Sequence, residues 1–392
     1  MEPGALFESA AAVADDVRRL RRDIHAHPEL GLDNPETQRR ILDALEGLPL
    51  EVSTGDACTS VVADLAGGDG PRVLLRADTD ALPMTEDTDV EFRSTIDGRA
   101  HACGHDAHVA MLVGAARVLC DRRDELPGPV RFMFQPGEEG CGGADVMMTE
   151  GVLDGVDRAF AIHISPNIPN GYVSCRPGPI MASADTFHVT VTGRGGHAST
   201  PQFCIDPVPA AAAMINGVQA VVAREFDPFN PALVTVANVH AGTTTNVIPE
   251  TAMLEGTIRT VSESVRANVH TSLERMCRGI GDAYRCGVDF EIQPGYPVTV
   301  NHAAEAERVA ALVRTTLGDR QYFELPTPVM GAEDFSYVLQ EVPGAMALLG
   351  VCPDDIANSL EAPSCHSNRM RLNEEGMVAG VALHCAAALT PG

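Results

Sequence analysis

Residues 101–116 read His-Ala-Cys-Gly-His-Asp-Ala-His-Val-Ala-Met-Leu-Val-Gly-Ala-Ala, and the reading of this stretch decides how the chain is organised. Cys103 and His105 bracket one glycine, so a thiolate and an imidazole can turn toward a common point. Both are donors that a zinc-like divalent cation accepts. Gly104 permits the tight turn. From Asp106 onward the pattern becomes helical, with Val109, Leu112, Val113 and Ala116 at three- and four-residue spacing and Asp106 as the expected N-cap. The positive end of such a helix favours a thiolate at Cys103. A buried cysteine beside a surface imidazole gives the same local pattern, so the octet 101–108 takes its meaning from its surroundings.

Upstream, residues 59–65 and 72–77 are short β-branched or aliphatic runs bounded by Gly and Pro, the signature of buried strands. The second run ends in Arg76-Ala-Asp-Thr-Asp-Ala-Leu-Pro83, placing Asp78 and Asp80 just past a strand. Open α/β sheets hold their ligands there, beyond the strands' carboxyl ends. Downstream, residues 129–135 alternate Val130, Phe132 and Phe134 and run into Pro136-Gly-Glu-Glu-Gly140. Adjacent carboxylates raise each other's pKa unless something positive holds them, and a metal is the natural partner. One of the two can then ligate while the other serves as a general base; a solvated acidic turn is the plainer alternative. A third strand, 158–164, carries His163 near its carboxyl end. Three strands finishing in Asp, Glu and His, with the octet opening a helix between the first two, define an α/β protein. Its catalytic domain is expected to be a three-layer αβα sandwich with a metal site at the strand carboxyl ends.

Farther out, residues 10–22 and 35–47 read as helices. His25-Ala-His-Pro-Glu-Leu-Gly31 closes the first, so its His pair has metal-ligand spacing but stands at a Pro/Gly stop. After residue 183 the texture changes. A half-exposed strand (186–191) leads into the flexible loop Gly193-Arg-Gly-Gly-His-Ala-Ser199. A helix (206–224), two strands (233–240 and 252–259), a helix (263–283) and a strand (288–292) follow. The order β-α-β-β-α-β is that of ferredoxin-like folds, so residues 184–294 are expected to form an inserted α+β lid. Residues 1–183 and 295–392 are then two parts of one catalytic domain. The second part holds a helix (303–317), an apolar strand (344–350) and a closing helix (374–388). His366, within Pro363-Ser-Cys-His-Ser367, is a fifth candidate ligand.

Composition narrows the partners. The 392 residues are too many for one ordinary core. A net charge of −26 argues against nucleic acid and anionic membrane surfaces. All 28 basic residues are arginine; the absence of lysine excludes a pyridoxal Schiff base and a P-loop lysine. Eleven scattered cysteines, with no secretory apolar region ahead of them, suggest a reducing cytoplasm. No apolar run is long enough to span a bilayer.

Taken together, His25-to-Gly31, Arg76-to-Pro83, Cys103-Gly-His-Asp106, Gly137-Glu-Glu139, His163, Gly195-Gly-His-Ala198, Thr245-Asn-Val-Ile-Pro249, Gly331-Ala-Glu-Asp-Phe335 and His366 resemble the metal-dependent aminoacylase and carboxypeptidase superfamily. The closest resemblance is to its hippurate hydrolases, N-acyl-amino-acid amidohydrolases and plant auxin-conjugate hydrolases. It implies Cys103, His105, Glu139, His163 and His366 as ligands of one or two divalent ions, zinc foremost, with manganese, cobalt or nickel as alternatives. It further implies Glu138 as general base, Asp80 as an orienting carboxylate outside the ligand set, and His197 with Asn246 nearby as oxyanion donor. Arg259 could hold the free carboxylate of an amino-acid product, or be a surface arginine. The implied reaction is hydrolysis of the amide bond of a small N-acyl amino acid by a homodimer whose His197 acts in trans. Three other readings stand beside it: a metallo-exopeptidase acting on dipeptide-like substrates, a cysteine hydrolase with Cys103 as nucleophile, and a binding or regulatory protein that has kept the fold and lost turnover, which an intact Glu138 beside five ligands argues against.

Overall fold

The computed structural model describes residues 4–391, which divide into two compact units. One comprises residues 4–180, 300–327 and 334–391; the other comprises 181–299 together with 328–333. The insert is thus a few residues wider than the pattern 184–294. It also recruits 328–333, because Ala182 N donates to the carbonyls of Val329 (3.0 Å) and Gly331 (2.9 Å).

The larger unit is built on an eight-stranded sheet. Its spatial order is Glu51–Thr54, Val61–Leu65, Val130–Gln135, Val73–Asp78, Arg158–Ser165, Gly344–Gly350, Val173–Cys175 and Tyr322–Glu324. The four strands from Val130–Gln135 to Gly344–Gly350 are mutually parallel, so their carboxyl ends share one edge. Asp78 pairs with Gln135, and His163 with Leu348, which sets the site residues at nearly one height. Val73–Asp78 and Gly344–Gly350 are buried at every residue, as strands covered on both faces must be. Helices Ala14–His25, His105–Asp121 and Met377–Leu389 pack on one another; Gly143–Thr149 and Phe335–Glu341 pack together and against the strands Val130–Gln135 and Arg158–Ser165. The helix His105–Asp121 is apolar nearly all round because it is the middle of its layer.

Asp106 is not the N-cap expected from sequence. Gly104 starts the helix at φ 87°, and Asp106 lies in the first turn. Its carboxylate is taken by Arg21 Nε (2.7 Å) and His25 Nδ1 (2.8 Å), a long-range bond that the local pattern could not show. Gly104 is required twice over: the positive φ disfavours any side chain, and a Cβ there would lie 2.5 Å from Ile164 Cγ1. The strand Glu51–Thr54 was not legible, since all four residues are exposed and carry no apolar alternation.

The inserted unit is a four-stranded antiparallel sheet ordered Ala232–Ala241, Thr251–Thr260, Asp185–Thr192 and Gly287–Pro294, carrying helices Pro207–Glu225 and Glu263–Tyr284. This is the split β-α-β-β-α-β arrangement. Phe187, Val189 and Val191 are buried while Thr186, His188 and Thr190 are half exposed, so one face meets the helices. A two-residue ladder pairs Val247 with His197 and Ile248 with Gly196.

Candidate metal centre

The site grows from the end of the strand Val73–Asp78. Asp80, buried just beyond it, accepts the backbone N–H of Glu138 on one carboxylate oxygen (2.9 Å) and that of Glu139 on the other (3.0 Å). Gly137, at φ 78°, turns the chain out of the neighbouring strand to make this possible. Two adjacent glutamates are thereby anchored by their main chain at the site. Asp80 also accepts from His105 through its backbone carbonyl, at 2.8 Å from Nδ1. The orienting carboxylate expected at Asp80 lies 3.6 Å from His105 Nδ1 and in addition holds the two glutamate amides, which sequence reading did not foresee.

A carbonyl oxygen can only accept, so His105 donates through Nδ1, leaving Nε2 to face Glu138 and Glu139 at 3.9 Å. That atom is buried and has no hydrogen-bond partner. His163 repeats the arrangement: Nδ1 donates to the Ile164 carbonyl (2.7 Å), and Nε2 lies 3.4 Å from Cys103 Sγ. His366 sits at φ 70°, a left-handed conformation unusual for a residue with a Cβ, held by its N–H to the Ala102 carbonyl at 2.7 Å. Its Nε2 reaches within 3.2 Å of Glu139 Oε1.

Of five groups whose donor atoms lie within 4.8 Å of one another among the described residues, three join the expected ligands: Cys103, His105 and His163; Cys103, Glu139 and His366; His105, Glu138 and Glu139. They share members, so all five residues expected as ligands, and Glu138, form one cluster. The electrostatics are those of a cation site. Although burial opposes it, the carboxylates of Asp78, Asp80 and Glu139 hold the His105 imidazole well above its ordinary pKa. The bond to Glu139 likewise raises His366. Hydrogen bonding to Cys365, burial and the two glutamates push the Cys103 thiol up. Mixed sulfur, imidazole and carboxylate donors around a buried, unpartnered nitrogen fit a divalent cation, which would neutralise this surplus of negative charge.

His25 does not join the cluster. It is buried between Asp106 and Glu86 Oε1 (3.2 Å), while His27 Nδ1 bonds the Asp23 carbonyl (2.8 Å). The candidates in the inserted unit are more open. His197 and Asn246 are exposed, and the ladder brings them side by side, with Ala198 N donating to the Asn246 carbonyl at 3.0 Å. His197 Nδ1 accepts from Ser199 Oγ at 2.8 Å. Arg259 is half buried and bonds the Thr257 hydroxyl and the Ile258 carbonyl (3.1 Å), with no carboxylate partner among the described residues.

Sequence reading assigned no role to a buried network behind the cluster. Arg76 donates to Gln135 Oε1 (2.9 Å), Asp78 Oδ2 (2.7 Å) and Asp334 Oδ1 (2.9 Å), and Asp78 Oδ1 meets His108 Nδ1 at 2.5 Å. Its members were in view as a strand-end carboxylate, the last octet histidine and the Gly331-to-Phe335 motif. Nothing local links them.

These features are those of a hydrolytic metalloenzyme family. Residues 74–390 match the model of peptidase family M20/M25/M40, and the chain belongs to it. It is 38% identical to IAA-amino acid hydrolase ILR1-like 2 of Arabidopsis thaliana over 387 residues, covering 98% of this chain and 87% of the relative. It is 40% identical to an N-acetylcysteine deacetylase of Bacillus subtilis, covering 84% of this chain and 87% of the relative. Among solved structures it is similar to the Bacillus subtilis YXEP protein, described as a dinuclear metal binding peptidase from the M20 family. That match has a TM-score of 0.84 and 34% identity, covering 97% of this chain and 98% of the other.

Proposed function

We infer that this chain is a metal-dependent amidohydrolase that cleaves an N-acyl amino acid into a carboxylate and a free amino acid. The observation that carries the reading is the Glu138–Glu139 pair, anchored by its amides on Asp80, with Glu139 in one donor group with Cys103 and His366. Cys103, His105, Glu139, His163 and His366 would hold one or two divalent ions, zinc foremost, with manganese, cobalt or nickel able to serve. When bound, the metal supplies a Lewis acid for the amide carbonyl and lowers the pKa of water. Glu138 takes the proton of the attacking water and delivers it to the departing nitrogen. Asp80 keeps Glu138 at its station through the main chain. His197, with Asn246 beside it, donates to the developing oxyanion, and Arg259 receives the substrate's carboxylate. We further propose a two-fold homodimer in which His197 of the partner subunit completes each site. Its eleven unpaired thiols suit a reducing cytoplasm. No helix among the described residues is long and apolar enough to cross a membrane.

The cysteine-hydrolase reading is disfavoured by the setting of Cys103. Its thiol is buried and shared between two donor groups, with His105 and His163 and with Glu139 and His366, rather than paired with a single base. The test is a panel of N-acetyl, N-benzoyl and N-indoleacetyl amino acids together with dipeptides, assayed after chelation and after each metal is restored. The expected result is loss of activity on chelation and its return with metal, on the N-acyl amino acids. Turnover that survives a strong chelator would reinstate Cys103 as nucleophile, and turnover of dipeptides alone would make the protein an exopeptidase.

A further inference from the structure

We propose that His108 is a positioning residue for the metal centre: it ties the buried Arg76–Asp78 pair to the peptide that orients His163. The inference rests on the ligand set proposed above. His108 lies one helical turn beyond His105 and is 1% exposed. Its ring stacks on His105 (centroids 5.5 Å, 29°) and meets His163 edge-on (4.7 Å, 69°), so it is wedged between two candidate ligands. Distance alone would make it a ligand as well, since it groups with Asp78 and His105.

The hydrogen bonds give it a different role. A backbone N–H can only donate, so His108 Nε2 accepts that of Ile164 at 2.9 Å. Nδ1 then carries the ring proton and donates it to Asp78 Oδ1 at 2.5 Å, while Asp78 Oδ2 accepts from Arg76. Both nitrogens are therefore committed, and His108 is not a ligand. Ile164 is the residue whose carbonyl accepts from His163 Nδ1. One peptide unit after another, Ile164 receives its position from His108 through its N–H and passes it to the His163 ring through its C=O. Second-layer bonds of this kind fix imidazole orientation and tautomer in metal sites. The charges in this network are costly to bury, and an apolar filling of equal volume would serve stability as well or better. A role in alignment accounts for them.

Three variants separate this role from simple packing. His108→Gln can keep an acceptor near the Nε2 position, His108→Asn a donor near the Nδ1 position, and His108→Leu neither. Each is loaded with cobalt(II), whose visible bands and thiolate charge-transfer band report ligand geometry, and its cobalt dissociation constant is measured. The expected result is about a 10- to 100-fold loss of cobalt affinity with shifted bands for Leu and Asn, and near-wild-type behaviour for Gln. A purely structural role would lower the melting temperature of Leu and leave its cobalt spectrum and affinity unchanged, which would overturn the proposal. If Leu does not fold, Asn and Gln decide: indistinguishable cobalt spectra and affinities would equally overturn it. Failure of wild type to take up cobalt would instead sink the ligand set on which the proposal stands, so the two failures are read from different samples.

Discussion

In the sheet-centred unit, His105, His163 and the glutamate pair are each fixed by a short bond to buried main chain or to Asp80. In the inserted unit, His197 and Asn246 stand exposed on loops joined by a ladder two residues long. In the first arrangement the fold itself positions His105, His163 and the two glutamates, as a multidentate cation site demands. The second, on the proposal above, would leave the donor's position to be adjusted by the substrate and a partner subunit. The difference teaches where precision is needed: holding a cation requires fixed angles, while meeting an oxyanion and a carboxylate tolerates residues that settle on binding.

The largest effect expected from this comparison is complementation between subunits. Glu138→Ala and His197→Ala each lack one group in both sites, and each alone should be nearly inactive. Refolded together, about half the dimers are mixed, and each mixed dimer has one site with Glu138 from its own chain and His197 from the other. Recovery should approach about a quarter of wild-type activity. Activity that stays at the level of the separate variants would place His197 in its own subunit's site and abolish the trans assignment.

A smaller effect sharpens the separation of the two units. In the insert, Asp185 is buried and accepts from Arg266 (2.8 and 2.5 Å), His270 (2.7 Å) and Gly295 N (3.0 Å). Burial works against its charge, but the bonds from Arg266 and His270 prevail and hold its carboxyl well below the usual value. A depressed carboxylate stabilises the fold above its unfolded pKa, near 3.9, and loses that contribution as the pH falls toward the folded value. Asp185→Asn should therefore cost about 3 kcal/mol at neutral pH, a penalty that shrinks progressively below about pH 4. Denaturant titration across pH checks this, with metal content expected to stay at wild-type level. A parallel loss of metal would show that the insert's stability and the metal centre are not separable.

The legibility of the chain divides along the same line. Gly344–Gly350 was readable because continuous burial there demands continuous apolarity, Val73–Asp78 because its buried aliphatic run 73–75 is bounded by Gly and Pro, and the insert because alternation and helical spacing persist over whole elements. The exposed strand Glu51–Thr54 left no such trace. Within the site, residue types at strand ends drew attention to the cluster. What they do to one another did not follow: the bonds from Asp80 to the glutamate amides span 58 and 59 residues, and Asp106 answers to Arg21 and His25 across 85 and 81. The joining of 328–333 to the insert is a pairing of the same long-range kind. Local pattern reveals what is buried and where chains turn, whereas a hydrogen bond between distant segments is fixed only by the fold.

The central claim is the division of labour between two adjacent glutamates, and metal analysis of Glu138→Gln alongside its turnover tests it most directly. The account predicts metal content near wild type with turnover lowered by roughly two to four orders of magnitude, and for Glu139→Gln weakened metal binding first. Loss of metal together with activity in Glu138→Gln would put Glu138 among the ligands and contradict the account.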